Sequence, residues 1–197
     1  KKVVFDKGKI NIKYDSDKNP NFAIFKTNQK IKNKLILNKL IFIDTDISFI
    51  KKEVNIKWKI QEGFLNFNQR NVIINAKLFS EKLIVNSRDY INKKQMKLYT
   101  ALELKKDSIL IQKGSIVHIE NVKIELSGEI INEKIVDIDF SCEKQELTNI
   151  IKHTPEHLNS IYNSFKANGI LDCNGNIKGV INKDSNPYLE MICNIKE

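Results

Sequence analysis

VDIDFSC (136–142), ILDCNGNIKGVI (170–181) and YLEMICNIK (188–196) decide the fold. Every second residue in them is apolar or small. Val136, Ile138, Phe140 and Cys142 alternate in the first, Leu171, Cys173, Ile177 and Ile181 in the second, and Leu189, Met191, Cys193 and Ile195 in the third. Successive side chains on a strand point to opposite faces, so the pattern predicts a sheet with one apolar and one polar face. All three cysteines are expected on the apolar face, as small buried hydrophobes. Gly175 and Gly179 fall on the same face, where they either leave shallow space or mark the close approach of another backbone. The chain has too little predicted helix to cover this face, which makes it a candidate lipid-holding surface.

The period of two extends upstream. Ile10, Ile12 and Tyr14 alternate before a turn in DSDKNPN (15–21), and the run 35–43 is apolar enough for a strand buried on both faces or met by a covering segment. Val54, Ile56, Trp58 and Ile60 form a strand that Glu62–Gly63 would close. Short strands are expected over 64–68, 72–78 and 83–86, then a polar link over 87–94. Met96 to Leu104, 109–111, 116–119 and the alternation of Val122, Ile124, Leu126 and Ile130 complete roughly ten to twelve strands. The short links imply antiparallel neighbours in a meander. The exception is 143–166. There Leu147, Ile150 and Ile151 have helical spacing, and Thr154–Pro155 should start a second helix carrying Leu158, Ile161, Tyr162 and Phe165 on one side, up to Asn168–Gly169.

A chain of 197 residues, 41% hydrophobic and 29% charged, is long enough for one domain with a core. It has no apolar run of the roughly 18 residues that a membrane-spanning helix requires. The net charge of +9 invites a nucleic-acid partner, yet of 33 basic residues only Arg70 and Arg88 are arginine, the residue suited to bidentate phosphate contacts. Lys57 and Lys59 flank Trp58 and belong on a solvated face. Specific nucleic-acid binding therefore ranks last, while contact with anionic lipid headgroups stays open.

No residue set points to catalysis. His153, Glu156 and His157 match an H-x-x-E-H zinc motif, but Pro155 breaks the continuous helix that both histidines would need, so a helix-to-helix junction with two solvated histidines is expected instead. His118 sits on a strand without an obvious partner. Cys142, Cys173 and Cys193 lack any metal-ligand spacing, so no metal or other cofactor is expected; a Cys173–Cys193 bridge is an open alternative. The chain is read as a non-enzyme.

From residue 136 onward the chain resembles the AsmA family of bacterial envelope proteins, in its Bacteroidetes-type form. The resemblance lies in the VDIDF strand, the helix start at Pro155, Glu156 and Leu158, the series Gly169, Leu171, Gly175, Ile177 and Gly179, and Pro187 before the last strand. NVKIELSGEI (121–130) resembles the strand that precedes this block. It covers 136–196 well, whereas 1–120 agrees only in being strand-rich.

The resemblance implies a mainly β fold, an elongated, curved antiparallel sheet forming a groove or open half-barrel, with one short helical pair near 144–167. The chain would be a single domain over 1–197, an internal piece of a longer bridge-like lipid-transfer protein. That protein would be periplasmic, tethered to the inner membrane by a segment outside this chain, and tied to outer-membrane biogenesis. The implied partners are phospholipid acyl chains, membrane surfaces reached through the rest of the protein, and envelope proteins. Acyl chains would contact Ile124, Leu126, Val136, Ile138, Phe140, Leu171, Ile177, Leu189, Met191 and Ile195. The competing expectation is a non-catalytic envelope scaffold whose sheet buries its own face in a sandwich core.

Overall fold

The computed structural model describes residues 1–14, 37–132, 134–153, 168–181 and 187–196. Eleven strands, all in one open sheet, run through them: β1 (Lys2–Asp6), β2 (Lys9–Lys13), β3 (Lys39–Lys51), β4 (Val54–Asn68), β5 (Asn71–Val85), β6 (Arg88–Leu104), β7 (Ser108–Ile119), β8 (Val122–Ile131), β9 (Ile135–Glu146), β10 (Ile170–Val180) and β11 (Tyr188–Lys196). One helix, α1 (Leu147–Lys152), follows β9. From β3 to β11 each strand pairs antiparallel with the next, the meander that short links predict. At the other edge, β1 and β2 are two halves of one border, both parallel to β3 and separated at Lys7–Gly8.

Several expected boundaries are wrong, all in the same direction. Glu62–Gly63 is not a turn: β4 runs through it, with a bulge between Ile60 and Glu62. The segments 72–78 and 83–86 are one strand, as are 109–111 and 116–119, and most of the supposed link 87–94 lies in β6. The run expected to be buried on both faces is not, because Ile43 is exposed; residues 35 and 36 lie outside the described part. The second predicted helix, with Pro155, Glu156, Leu158 and His157, and the turn at 15–21 also lie outside it.

A single flat layer leaves every side chain open to water on one side. Leu78, in the middle of β5, is nonetheless only 1% exposed, so the sheet curls over it. Phe42, Ile60, Ala76 and Met96 are buried with it, and Phe5, Ile10, Trp58, Leu98, Val117 and Ile119 pack around them, a cluster drawing on β1 through β7. Strand twist supplies part of the curl, and bulges, which bend a strand and tighten its twist, supply the rest.

A bulge frees backbone groups from the ladder, and three fully buried hydroxyls lie where that happens. Thr45 follows Asp44, whose φ is 46°, and its hydroxyl donates to the carbonyls of Ile43 or Phe5 at 3.0 and 3.2 Å. Ser80, beside the register shift at Lys57–Trp58, donates to Ile91 at 3.3 Å. Ser115 closes the irregularity after Ile111, donating to the Gln112 carbonyl at 2.8 Å and accepting from the Ala101 amide at 3.2 Å. Thr45 and Ser115 reach carbonyls two and three residues back along their own strands and Ser80 reaches across to β6, so all three hydroxyls are paired.

Of the two expectations for Gly175, the close approach of another backbone holds and the shallow space does not. The ring of Phe140, its partner on β9, lies over it, so the glycine leaves no shallow space on the apolar face. A Cβ there would collide with that ring and with the Glu190 carbonyl. Gly175→Val should therefore cost about 1–3 kcal/mol of unfolding free energy through forced overpacking and lower the urea midpoint accordingly. Leu78→Ala should cost about 2–5 kcal/mol by leaving a cavity in the cluster. An unchanged midpoint for either would contradict the packing described.

Candidate functional site

The apolar face can be followed strand by strand. Phe5, Phe42, Gly63, Ala76, Leu98, Val117 and Ile124 are register partners in turn, a single row crossing β1 and then β3 through β8. Two residues further along β8, Leu126 begins a second row with Phe140, Gly175 and Met191, and Gly128 a third with Ile138, Ile177 and Leu189. Val136 lies opposite Ile130 and Gly179, and Leu171 is paired with Gln145 and Ile195. Directly opposed residues share a face. All ten residues expected on the apolar face are thus on one surface, continuous with the first half of the sheet.

Their exposure is graded. Val136 and Leu171 are buried; Ile124, Leu126, Ile138, Phe140 and Ile177 are half-buried. At the free edge Leu189, Met191 and Ile195 are 55, 52 and 57% exposed. The cause is positional. The β3–β7 region is curled over its own side chains, whereas β11 has a neighbour on one side only among the described residues. Cys193 shares this exposure, contrary to the expectation that all three cysteines are buried.

Helix α1 lies on the same face. Leu147 and Ile150 pack against Cys142, Leu171 and Cys173, and the Leu147 amide donates to the Gly169 carbonyl at 3.0 Å. Six residues are too few for a helix to persist unaided, so this packing is what holds it. Its end reaches further: Lys94 Nζ, opposite Ser80 on the apolar side of β6, lies 3.0 Å from His153 Nδ1. The helix thereby links β9–β10 to β6 across the intervening β7 and β8. His153 was expected to be solvated; it is half-buried and partnered.

An ammonium can only donate, so Nδ1 of His153 is the acceptor and carries no proton. Burial, and next the charge of Lys94, hold the His153 pKa below its ordinary 6.5.

The opposite face is stitched by polar pairs. Lys178 contacts Asp137 at 2.6 Å, and Asn176 donates to Asp137 and Asp139 at 2.9 and 2.8 Å. The Lys178 and Asn176 hydrogen bonds keep the Asp137 carboxyl below its usual range. Asp172 is held down by the Lys144 amide and then by Lys196, and Glu129 by Ser108 and then Lys105. These groups are open to water and bind strand to strand; none converges on a pocket. One feature here escaped the alternation pattern: an open depression of about 650 Å³, its floor containing Ile41 and Phe64 and its rim Lys39, Glu62, Lys77 and Lys97. Only the unbroken apolar run at 40–43 hinted at it.

The depressed His153 pKa has a definite sign. As pH falls below 6.5, the unfolded chain takes the proton before the folded one, so stability is full above 6.5 and declines toward the folded pKa. The melting temperature of the wild type should fall more than that of His153→Gln as pH is lowered from neutrality to about 5. Equal losses would contradict the half-buried position of His153 beside Lys94. No protein-family model matches the chain, and no curated protein or solved structure is significantly similar to it.

Proposed function

We propose that the chain is a periplasmic lipid-groove module of the AsmA-like kind, holding phospholipid acyl chains on the apolar face of its curled sheet. In this reading it performs no chemistry, is tethered to the inner membrane by a segment outside this chain, and supports outer-membrane biogenesis. The observation that carries the proposal is the apolar row running without a break from Phe5 to Ile124, continued by Leu126, Phe140 and Met191 to an edge where the face is half open.

Magnitudes fit this reading. The path of the sheet crosses ten strands, and at a strand spacing of about 4.8 Å its curved length is about 43 Å. An acyl chain spans about 15 Å, half of a bilayer's roughly 30 Å hydrocarbon core, and is comfortably accommodated. Each buried CH₂ contributes about 0.8 kcal/mol, so a non-specific apolar trough holds lipid without reactive residues.

The competing scaffold reading draws on the first half of the sheet, where Phe42, Ile60, Leu78 and Met96 are already sealed against water. Native mass spectrometry of the gently purified chain separates the two. The proposal expects phospholipid adducts that are lost on delipidation and return with added lipid. Leu189→Asp combined with Met191→Asp, both at exposed positions, should reduce the adducts at least tenfold with the fold intact by circular dichroism. A folded, lipid-free wild type, or adducts unaffected by the double variant, would favour the scaffold.

A further inference from the structure

The three cysteines of the chain stand in one row. Cys142 on β9 is the register partner of Cys173 on β10, and Cys173 is the register partner of Cys193 on β11. Residues directly opposite on adjacent strands project from the same face, with strands about 4.8 Å apart. The sulfurs therefore line up across the sheet, and Sγ of Cys142 and Cys173 are 2.6 Å apart. Cys142 and Cys173 are buried; Cys193, on the edge strand, is exposed.

This arrangement has a specific chemical use. Thiol–disulfide exchange is an in-line displacement: a thiolate attacks one sulfur of a disulfide, and the other sulfur leaves along the same axis. Three thiols on consecutive strands provide that line. We propose that the row is an exchange track, in which Cys193 takes up oxidation from an external disulfide and passes it inward, ending in a Cys142–Cys173 cross-strand disulfide with Cys193 restored as a thiol.

The steps balance with a small-molecule or protein disulfide, R–S–S–R, as oxidant. The Cys193 thiolate attacks one oxidant sulfur, forming Cys193–S–S–R and expelling RS⁻, which takes the proton that Cys193 gave up. The Cys173 thiolate attacks Sγ of Cys193; the Cys173–Cys193 bond forms and the second RS⁻ leaves and is protonated. The Cys142 thiolate then attacks Sγ of Cys173, and the Cys193 thiolate leaves. Two protein thiols have become one disulfide, and R–S–S–R has been reduced to two R–SH.

The order follows from access and from acidity. Only the thiolate attacks. Burial, and next the hydrogen bond with Cys142, push the Cys173 thiol up to about 11, and Cys193 is raised as well, chiefly by burial. Direct attack by Cys173 on a bulky external oxidant is therefore hindered twice, by protonation and by its position. The exposed Cys193 makes the first contact, and a neighbouring intramolecular disulfide then presents Cys173 with a target at high effective concentration. The end state is the buried pair, shielded from reductants and joining β9 to β10 beneath α1, where Leu147 and Ile150 cover it. The track does not depend on what occupies the trough.

Oxidation of the reduced full chain with glutathione disulfide, quenched by N-ethylmaleimide at timed intervals and mapped by peptide mass spectrometry, tests it. The expected end product links Cys142 to Cys173 and carries the alkyl label on Cys193. Cys193→Ser should reach the same linkage at least fivefold more slowly, and Cys142→Ser should stop at Cys173–Cys193. Three labelled thiols at the end point, a wild-type end product that retains Cys193 in a disulfide, or a Cys193→Ser rate slowed less than fivefold would overturn the proposal. The wild-type map needs no variant, so it stands even where a substitution disturbs folding.

Discussion

A sheet one layer thick can bury its apolar side chains only by curling over them, and the rest of this structure follows from that constraint. Eleven strands share a single hydrogen-bonded layer. The burial of Leu78, with Phe42 and Met96 beside it, is achieved by curvature. Curvature in turn requires irregular places in the ladder, and irregular places release backbone groups that must be paired. Thr45, Ser80 and Ser115 answer that requirement with hydroxyls that reach back to the chain. Polar residues buried to this degree in an apolar face would be costly elsewhere; here they are what permits the bend.

Because the curl is uneven, the trough is uneven too. Around β3–β7 the apolar face is sealed by its own side chains, and toward β11 it opens until Leu189 and Met191 are half exposed. Helix α1 bridges the two regions, seated on Cys142 and Leu171 and fastened to β6 through His153 and Lys94. The polar face has a different task. Its exposed pairs each contribute little in water, but Lys178–Asp137 and Lys196–Asp172, set on neighbouring strands, favour one register over its alternatives. An apolar surface that is continuous and partly open among the described residues is the feature on which the proposed hold on hydrocarbon rests.

The period of two made the character of the chain readable in advance: strand-rich, one apolar face and an antiparallel meander; the helical segment expected from about residue 144 is present, but β9 runs on to Glu146 and α1 starts only at Leu147. The ten residues expected on the apolar face all lie there because alternation, once the register is right, leaves no freedom of side. Boundaries were harder, for a physical reason. The hairpins at Lys52–Glu53, Gln69–Arg70 and Glu120–Asn121 turn through a non-glycine residue with positive φ, so the usual glycine and proline signals are missing. Gly63, which looked like a turn, instead sits in a strand where its Cβ would press on Ala76 and the Asn75 carbonyl. Bulges hide from pattern reading in the same way, because one extra residue looks like the end of a strand. Nor could periodicity show that Phe140 covers Gly175, that His153 meets Lys94 across two strands, or that the cysteines stand in register, since each is a matter of pairing and not of composition.

On β11, adjacent residues of similar exposure point to opposite faces: Leu189 and Met191 to the apolar side, Tyr188 and Ile192, each 67% exposed, to the other. A phospholipid carrying a photoactivatable diazirine on its acyl chain, irradiated with the protein and mapped by peptide mass spectrometry, reads out which face meets hydrocarbon. The account predicts adducts on Leu189, Met191 and Phe140 and none on Tyr188 or Ile192. Labelling of both faces alike, or none at all, would contradict it.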